Sequence, residues 1–321
     1  MTTRTIALIS PVLFFLTGGF QVLAQDVSVR PDATIIQQHI NILAADKMKG
    51  RGTGSKGLKK AARYIERQYR KYGLSPAGTR KYKQPFIARV RKVTVKDSLR
   101  KANNIIGLLD NRAPYTIVIG AHYDHLGTGQ QGSSKHPEPE GHIHNGADDN
   151  ASGVAGLLEL ARYFSGNGET EPYNFLFIAF SAEELGLLGS KYFVEHSVLP
   201  VENIHFMLNM DMIGRYDPQR GIGIGGYGTS SDWPSVFEDV QAGVKFFTDD
   251  AGSGGSDHGS FYAKQVPVLF FHTGGHPDYH MPSDDADKIN AEAEAKIIDL
   301  EIQIIENAMK KEKLPFTEVK G

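Results

Sequence analysis

Short, largely apolar runs divide this chain, and segments of helical periodicity lie between them. The runs are 104–109 (NIIGLL), 116–121 (TIVIGA), 174–180 (NFLFIAF), 204–210 (IHFMLNM) and 268–271 (VLFF). A strand that is apolar on both faces must be covered on both faces, so these runs predict buried strands of a mostly parallel sheet. Leu58, Ala61, Ala62, Ile65 and Tyr69 mark an amphipathic helix over 55–72, and Val154, Leu157, Leu158 and Ala161 mark one over 151–165. Further helices are expected after Glu184 and near Asp257, and Ile298, Ile302, Ile305 and Met309 mark a C-terminal helix. The alternation predicts an α/β fold, a single-domain α/β/α sandwich around a mostly parallel mixed sheet. In such sheets ligands sit at the carboxyl ends of the strands.

Composition narrows the classes. With 40% apolar and 22% charged residues in 321, the chain is neither a disordered tail, a collagen-like fibre nor a multi-span membrane protein. Thirty-five basic against 37 acidic side chains leave a net charge of −2, which offers nucleic acid no bulk attraction, and no nucleic-acid partner is expected. There is no cysteine, so disulfides, zinc–thiolate sites and thiol nucleophiles are excluded. Arg4 is the only charge before Asp26, an apolar run spans Ile6 to Leu16, and Val22-Leu23-Ala24 has the form of a cleavage site. Residues 1–24 therefore read as a secretory signal peptide. Pro11 and the Gly18-Gly19 pair leave the run too short to span a bilayer. A periplasmic or secreted chain of residues 25–321 is expected, with no stable membrane anchor after cleavage. Residues 80–101 carry nine basic side chains and one acid and read as an exposed hairpin.

The strand ends carry the chemistry. After TIVIGA comes His122-Tyr123-Asp124, and after a long polar loop comes Asp148-Asp149-Asn150. NFLFIAF is followed by Glu183-Glu184, IHFMLNM by Asp211, and VLFF by a loop holding His276, Asp278, Tyr279 and His280. So many carboxylates at one crevice would repel without a counter-ion, and a bound cation is the simplest remedy. Imidazole with carboxylate and no thiolate suits zinc, with cobalt or manganese as substitutes. Two histidines with three or four acids exceed one tetrahedral ion and match two zincs sharing a carboxylate.

At this point the chain resembles metallopeptidase family 28, the co-catalytic zinc aminopeptidases and their carboxypeptidase relatives. The matching segments are AHYDHLG (121–127), NGADDNASG (145–153), FSAEELGLLGS (180–190), NMDMIGR (209–215), SDH (256–258) and DYHMPSDD (278–285), with KMKGRGTGS (47–55) similar to the family's N-terminal segment. The resemblance implies that His122 and Asp211 hold one zinc, that Glu184 and His280 hold the other, and that Asp149 bridges them. Asp149 is preferred to Asp148 because the family's bridging acid lies four positions before the Gly of the ASG turn, here Gly153. Glu183 resembles the general base, a split between adjacent glutamates that rests on the resemblance alone. The resemblance also implies a cis peptide between Asp149 and Asn150.

Asp124, two residues beyond His122, is expected to accept a hydrogen bond from the second His122 nitrogen. Tyr279 is a candidate oxyanion donor. His125, His136, His142, His144 and His276 read as loop histidines, Ser256 or Asp257 as a helix N-cap, and Asp284 as an orienter of the His280 loop. Only 17 residues separate Phe86 from Asn104, too few for the protease-associated domain that the family often inserts there. Residues 127–145 are expected as a loop over the site.

The implied activity is hydrolysis of peptide substrates, with an aminopeptidase expected. A carboxypeptidase, for which Arg215 could meet the substrate carboxylate, and a glutaminyl cyclase-like enzyme are the alternatives within the family. Cyclases of this fold work with a single zinc, so His122 and Asp211 beside Glu184 and His280 favour a hydrolase. An inactive zinc-containing peptide-binding protein is the alternative of another class, and Glu183 argues against it.

Overall fold

The computed structural model describes residues 29–89 and 99–319. The first half comprises α1 (Ala33–Leu43), α2 (Lys56–Lys71), β1 (Ser75–Pro76), β2 (Lys83–Arg89), β3 (Leu99–Leu109) and β4 (Thr116–His122). Then come α3 (Gly153–Gly166), β5 (Asn174–Phe180), α4 (Leu188–Glu195), β6 (Ile204–Met210), β7 (Ile222–Gly225) and α5 (Trp233–Phe237). The chain ends with β8 (Phe246–Thr248), α6 (His258–Tyr262), β9 (Val268–His272) and α7 (Ala291–Ala308). Residues 1–24, on which the export reading rests, lie outside the described residues. No helix of the described residues is long and apolar enough to cross a membrane.

The strands form one mixed sheet in the order β1-β3-β5-β4-β6-β9-β7-β8, with β2 also paired to β3. Its centre, β5-β4-β6-β9, is parallel, and β3 and β7 join it antiparallel. Side-chain alternation sends Ile117, Ile119, Phe175, Phe177, Phe206 and Leu208 to one face. Val118, Leu176, Ile178 and Met207 go to the other. The first face is covered by α1, α2, α3, α5 and α7, and the second by α4 and α6. This is the α/β/α sandwich expected from strands apolar on both sides, and the described residues form a single domain.

Several boundaries differ for local reasons. The strand expected at 104–109 begins at Leu99, because its first half pairs with β2 from Arg89↔Leu99 to Lys83↔Ile105. The described parts of 80–101 thus form the two arms of a hairpin. The helix expected from residue 151 starts at Gly153, after an irregular turn over Ala147–Ser152. α1 is not among the expected helices, although Ile36, Ile40 and Leu43 are its buried stripe. The short β7 and β8 offer too few apolar residues for a pattern to show.

Candidate metal centre

The carboxyl ends of the four parallel strands meet at one edge of the sheet, where a cavity of about 410 Å³ opens. His122 is the last residue of β4, and Asp211 follows the last residue of β6. Glu183 and Glu184 lie on the turn after β5, and His280 on the loop after β9. Asp149 enters from the irregular turn before α3, and its bond to Asn150 is cis, as the resemblance implied. All six residues line the cavity, together with Tyr279, Met212, Phe270 and His272.

Asp149 divides its carboxylate between two imidazoles. Its Oδ1 lies 3.3 Å from His122 Nε2, and its Oδ2 lies 3.1 Å from His280 Nε2. On the first side Asp211 Oδ1 is 3.3 Å from His122 Nε2. On the second side Glu184 Oε2 is 3.3 Å from His280 Nε2. Two ligand atoms about 2.1 Å from a tetrahedral zinc stand about 3.4 Å apart. The four separations match that geometry twice, with Asp149 common to both halves. The donor set therefore fits two zinc ions.

Both rings are oriented from behind. His122 Nδ1 donates to the backbone carbonyl of Asp124 at 3.2 Å, and His280 Nδ1 donates to that of Ser133 at 2.9 Å. Each Nε2 thus faces the cavity. Here the expectation for Asp124 is corrected: its carboxylate stands 4.0 Å from His122 Nδ1. The β4 ladder ends at His122, and beyond it the chain turns the carbonyl rather than the side chain toward the ring. The carboxylate instead accepts from Thr53 Oγ1 at 2.9 Å and from the backbone N–H of Glu183 at 3.1 Å. The 127–145 loop reaches the cavity through Ser133.

Asp148 faces elsewhere, accepting from the Gly214 N–H at 2.7 Å and contacting His276 Nε2 at 3.1 Å. Asp284 takes the backbone N–H groups of Asp148 and Asp149 at 3.0 and 3.1 Å, so it ties the His280 loop to the Asp149 turn. Arg215 pairs with Asp278 at 3.2 Å. Asp257 is buried and makes no capping bond, while Ser256 Oγ accepts from Asn209 at 2.9 Å. Three of the five loop histidines lie on loops, as expected, but are held there. His125, His144 and His276 are packed in and hydrogen-bonded, to Glu184, Ser134 and Asp148 respectively.

Burial and mutual repulsion shape the charges. Burial drives the Glu183 carboxyl well above its usual range, although the His122 charge opposes this, and burial lifts Glu184 to about 8. Burial also opposes ionisation of Asp149, but His125, His122 and His280 outweigh it and hold its pKa well below the usual value. His280 is raised to about 9, since its hydrogen bond to Asp149 overcomes burial. Arg51, fully buried, supplies a fixed cation beneath the cluster. It donates to the carbonyls of Tyr123 (3.0 Å), Leu43 (2.8 Å), Asn145 (2.7 Å) and Gly146 (2.8 Å). Sequence reading gave no role to Arg51 or His125, and a buried role for Arg51 was signalled only by its setting among glycines in KMKGRGTGS.

Comparison with known proteins gives the family and the fold. The profile described as "Peptidase family M28" matches residues 104–305. Aminopeptidase YwaD of Bacillus subtilis is 28% identical over 77% of this chain. The chain spans only 54% of that relative's length. A leucine aminopeptidase precursor from Bacteroides thetaiotaomicron superposes with a TM-score of 0.68 at 19% identity, covering 88% of this chain and 98% of that one. Tannerella forsythia glutaminyl cyclase does so at 0.70 and 18%, covering 86% and 98%.

Proposed function

The chain belongs to peptidase family M28, and from that premise we propose that it is an exported two-zinc aminopeptidase, acting in the periplasm or outside the cell. The observation that carries this reading is the divided carboxylate of Asp149, set between two imidazole–carboxylate halves with Glu183 beside them. His122, Asp149 and Asp211 would hold one ion, and Glu184, His280 and Asp149 the other. When bound, the ions supply Lewis acidity and lower the pKa of water to near neutrality.

Glu183 takes the proton of the attacking water and returns it to the leaving amine. Its Oε2 lies 3.9 Å from His122 Nε2, at the edge of the cluster, and its backbone is fixed by Asp124. Tyr279, stacked on His280 with ring centroids 3.9 Å apart, presents a phenol that burial keeps protonated, and it donates to the developing oxyanion.

The end of the peptide is chosen by charge. The ionisable residues lining the cavity are acids, histidines and Tyr279, with no Lys or Arg among the described lining residues. Arg215, the candidate partner of a substrate carboxylate, is engaged by Asp278. Such a cavity favours a free ammonium over a free carboxylate. Met212 and Phe270 add apolar wall for the first side chain.

The test pairs zinc content per chain with hydrolysis of aminoacyl amides, free and N-acetylated. Two zincs and cleavage only of the free amines are expected. Cleavage only of the blocked substrates would overturn the aminopeptidase reading. Wild-type protein holding fewer than two ions would overturn the two-zinc reading.

A further inference from the structure

His125 is completely buried beside the second half of the centre, yet its distances are unlike those of the four ligand pairs. Its Nδ1 lies 2.7 Å from Glu184 Oε1 and 3.7 Å from Asp149 Oδ2. Ligands of one tetrahedral zinc stand about 3.4 Å apart. A separation of 2.7 Å is instead that of a short hydrogen bond to a carboxylate. His125 therefore fits a donor rather than a ligand. The two oxygens of Glu184 are divided accordingly, Oε1 toward His125 and Oε2 toward His280.

The ring has little freedom to do otherwise. The backbone N–H of His125 donates to the Arg51 carbonyl at 3.3 Å, and its backbone carbonyl accepts from Gln131 Nε2 at 2.8 Å. Gly146 packs so closely on the ring that a Cβ there would stand 2.5 Å from it. His125 Nε2 has no hydrogen-bond partner among the described residues, so the polar edge in use is the Nδ1 edge.

We propose that His125 is a positioning residue: its Nδ1–H fixes Glu184 by one oxygen and leaves Oε2 as the single oxygen offered to the ion shared with His280 and Asp149. The proposal rests on the two-zinc reading. Without the donor, Glu184 can rotate or offer both oxygens, and the second ion is held more weakly. The ion at His122 and Asp211 is unaffected.

The experiment compares wild-type protein with His125→Ala, His125→Asn and His125→Gln. Each is stripped and titrated with zinc against a chromophoric chelator, which yields stoichiometry and both affinities without an activity assay. The Asn amide N–H falls near the place of Nδ1, whereas that of Gln extends to the place of Nε2. His125→Ala and His125→Gln are expected to weaken one of the two ions by about 10–100-fold, the usual effect of losing a partner behind a ligand. His125→Asn is expected to recover most of that loss. Wild-type-like affinities in His125→Gln, or Asn no better than Gln, would overturn the proposal. The Asn–Gln contrast still decides if the Ala variant fails to fold. Fewer than two ions in wild-type protein would overturn the two-zinc reading, and this proposal with it.

Discussion

The backbone N–H of Glu183 donates to Asp124 Oδ1 at 3.1 Å. Asp124 thereby holds two parts of the site, the His122 ring through its carbonyl and the Glu183-Glu184 turn through its side chain. Its other oxygen accepts from Thr53 Oγ1 at 2.9 Å. Asp124→Asn sets an amide N–H against one of these donors. We expect kcat to fall about 10–100-fold with zinc content unchanged, in line with other groups behind metal sites. Thr53→Val removes a single donor and should cost less. Wild-type kcat in Asp124→Asn would mean that the carbonyl contact to His122 is sufficient.

Glu183 is separable from the ligand set. Glu183→Gln keeps shape and polarity but cannot accept the proton. The expected outcome is a loss of ~10²-fold or more in kcat, the usual scale of a general base, with two zincs still bound per chain. Unchanged kcat would remove Glu183 from the mechanism, and lost zinc would reassign it as a ligand.

Arg51 is a stability prediction. One guanidinium serves four carbonyls from three segments, Leu43, Tyr123 and the Asn145-Gly146 pair. Two of those segments lead directly into the site. Burial lowers its pKa only to about 10, so it stays charged at neutral pH. Arg51→Met removes the donor from four carbonyls, three of them in buried hydrogen bonds, and Arg51→Lys cannot restore the planar fork. Each should cost about 3–5 kcal/mol, the range for breaking a buried charge network. Thermal unfolding of the metal-free proteins measures it, and a Tm within two degrees of wild type would contradict it.

Most of this architecture was legible because the period of the apolar pattern reports burial directly. The runs at 174–180 and 204–210 match β5 and β6 residue for residue. Ligand-type residues at successive strand ends located the cavity, since the parallel strands bring those ends together. The supporting residues were legible only in part. Whether Asp124 orients His122 by carboxylate or carbonyl depends on a turn beyond the last ladder bond. His125 lies three residues past His122 and meets Glu184 only through folding, a contact across 59 positions. Arg51 acts on backbone groups, which carry no residue-type signal, whereas Asp284 was expected to orient the His280 loop and ties that loop to the Asp149 turn.

His205 offers a pH prediction away from the metal centre. It accepts the Leu314 N–H at Nδ1 (3.2 Å) and donates from Nε2 to the Ala308 carbonyl (3.1 Å). Only the neutral ring can do both. Burial lowers its pKa to about 4. The folded value lies below the unfolded 6.5, so nothing is lost above that pH. As pH falls from 6.5 toward 4 the unfolded chain takes up a proton that the folded chain refuses. Stability should fall by up to about 1.4 kcal/mol per pH unit from this group. Urea midpoints across that range should fall less steeply in His205→Gln, and an identical slope would remove His205 as a source.

The divided carboxylate makes the sharpest stoichiometric prediction. Asp211 serves one half of the centre, whereas Asp149 serves both. Asp211→Ala should retain one tight zinc, and Asp149→Ala should retain none. The readout need not be activity. A ligand at 100 times its Kd stabilises the folded state by about 2.7 kcal/mol. Zinc should therefore raise the Tm most in wild type, less in Asp211→Ala and scarcely in Asp149→Ala, and a chelator should reverse each shift. Removing Asp149 also lessens repulsion with Glu184, whose pKa its charge helps to raise. That relief is outweighed, because Asp149 also holds His122 and His280 and its own pKa is kept low by them, so metal-free Asp149→Ala should be less stable than metal-free wild type. Two zincs bound by Asp149→Ala with wild-type affinity would mean that the centre is two separate sites.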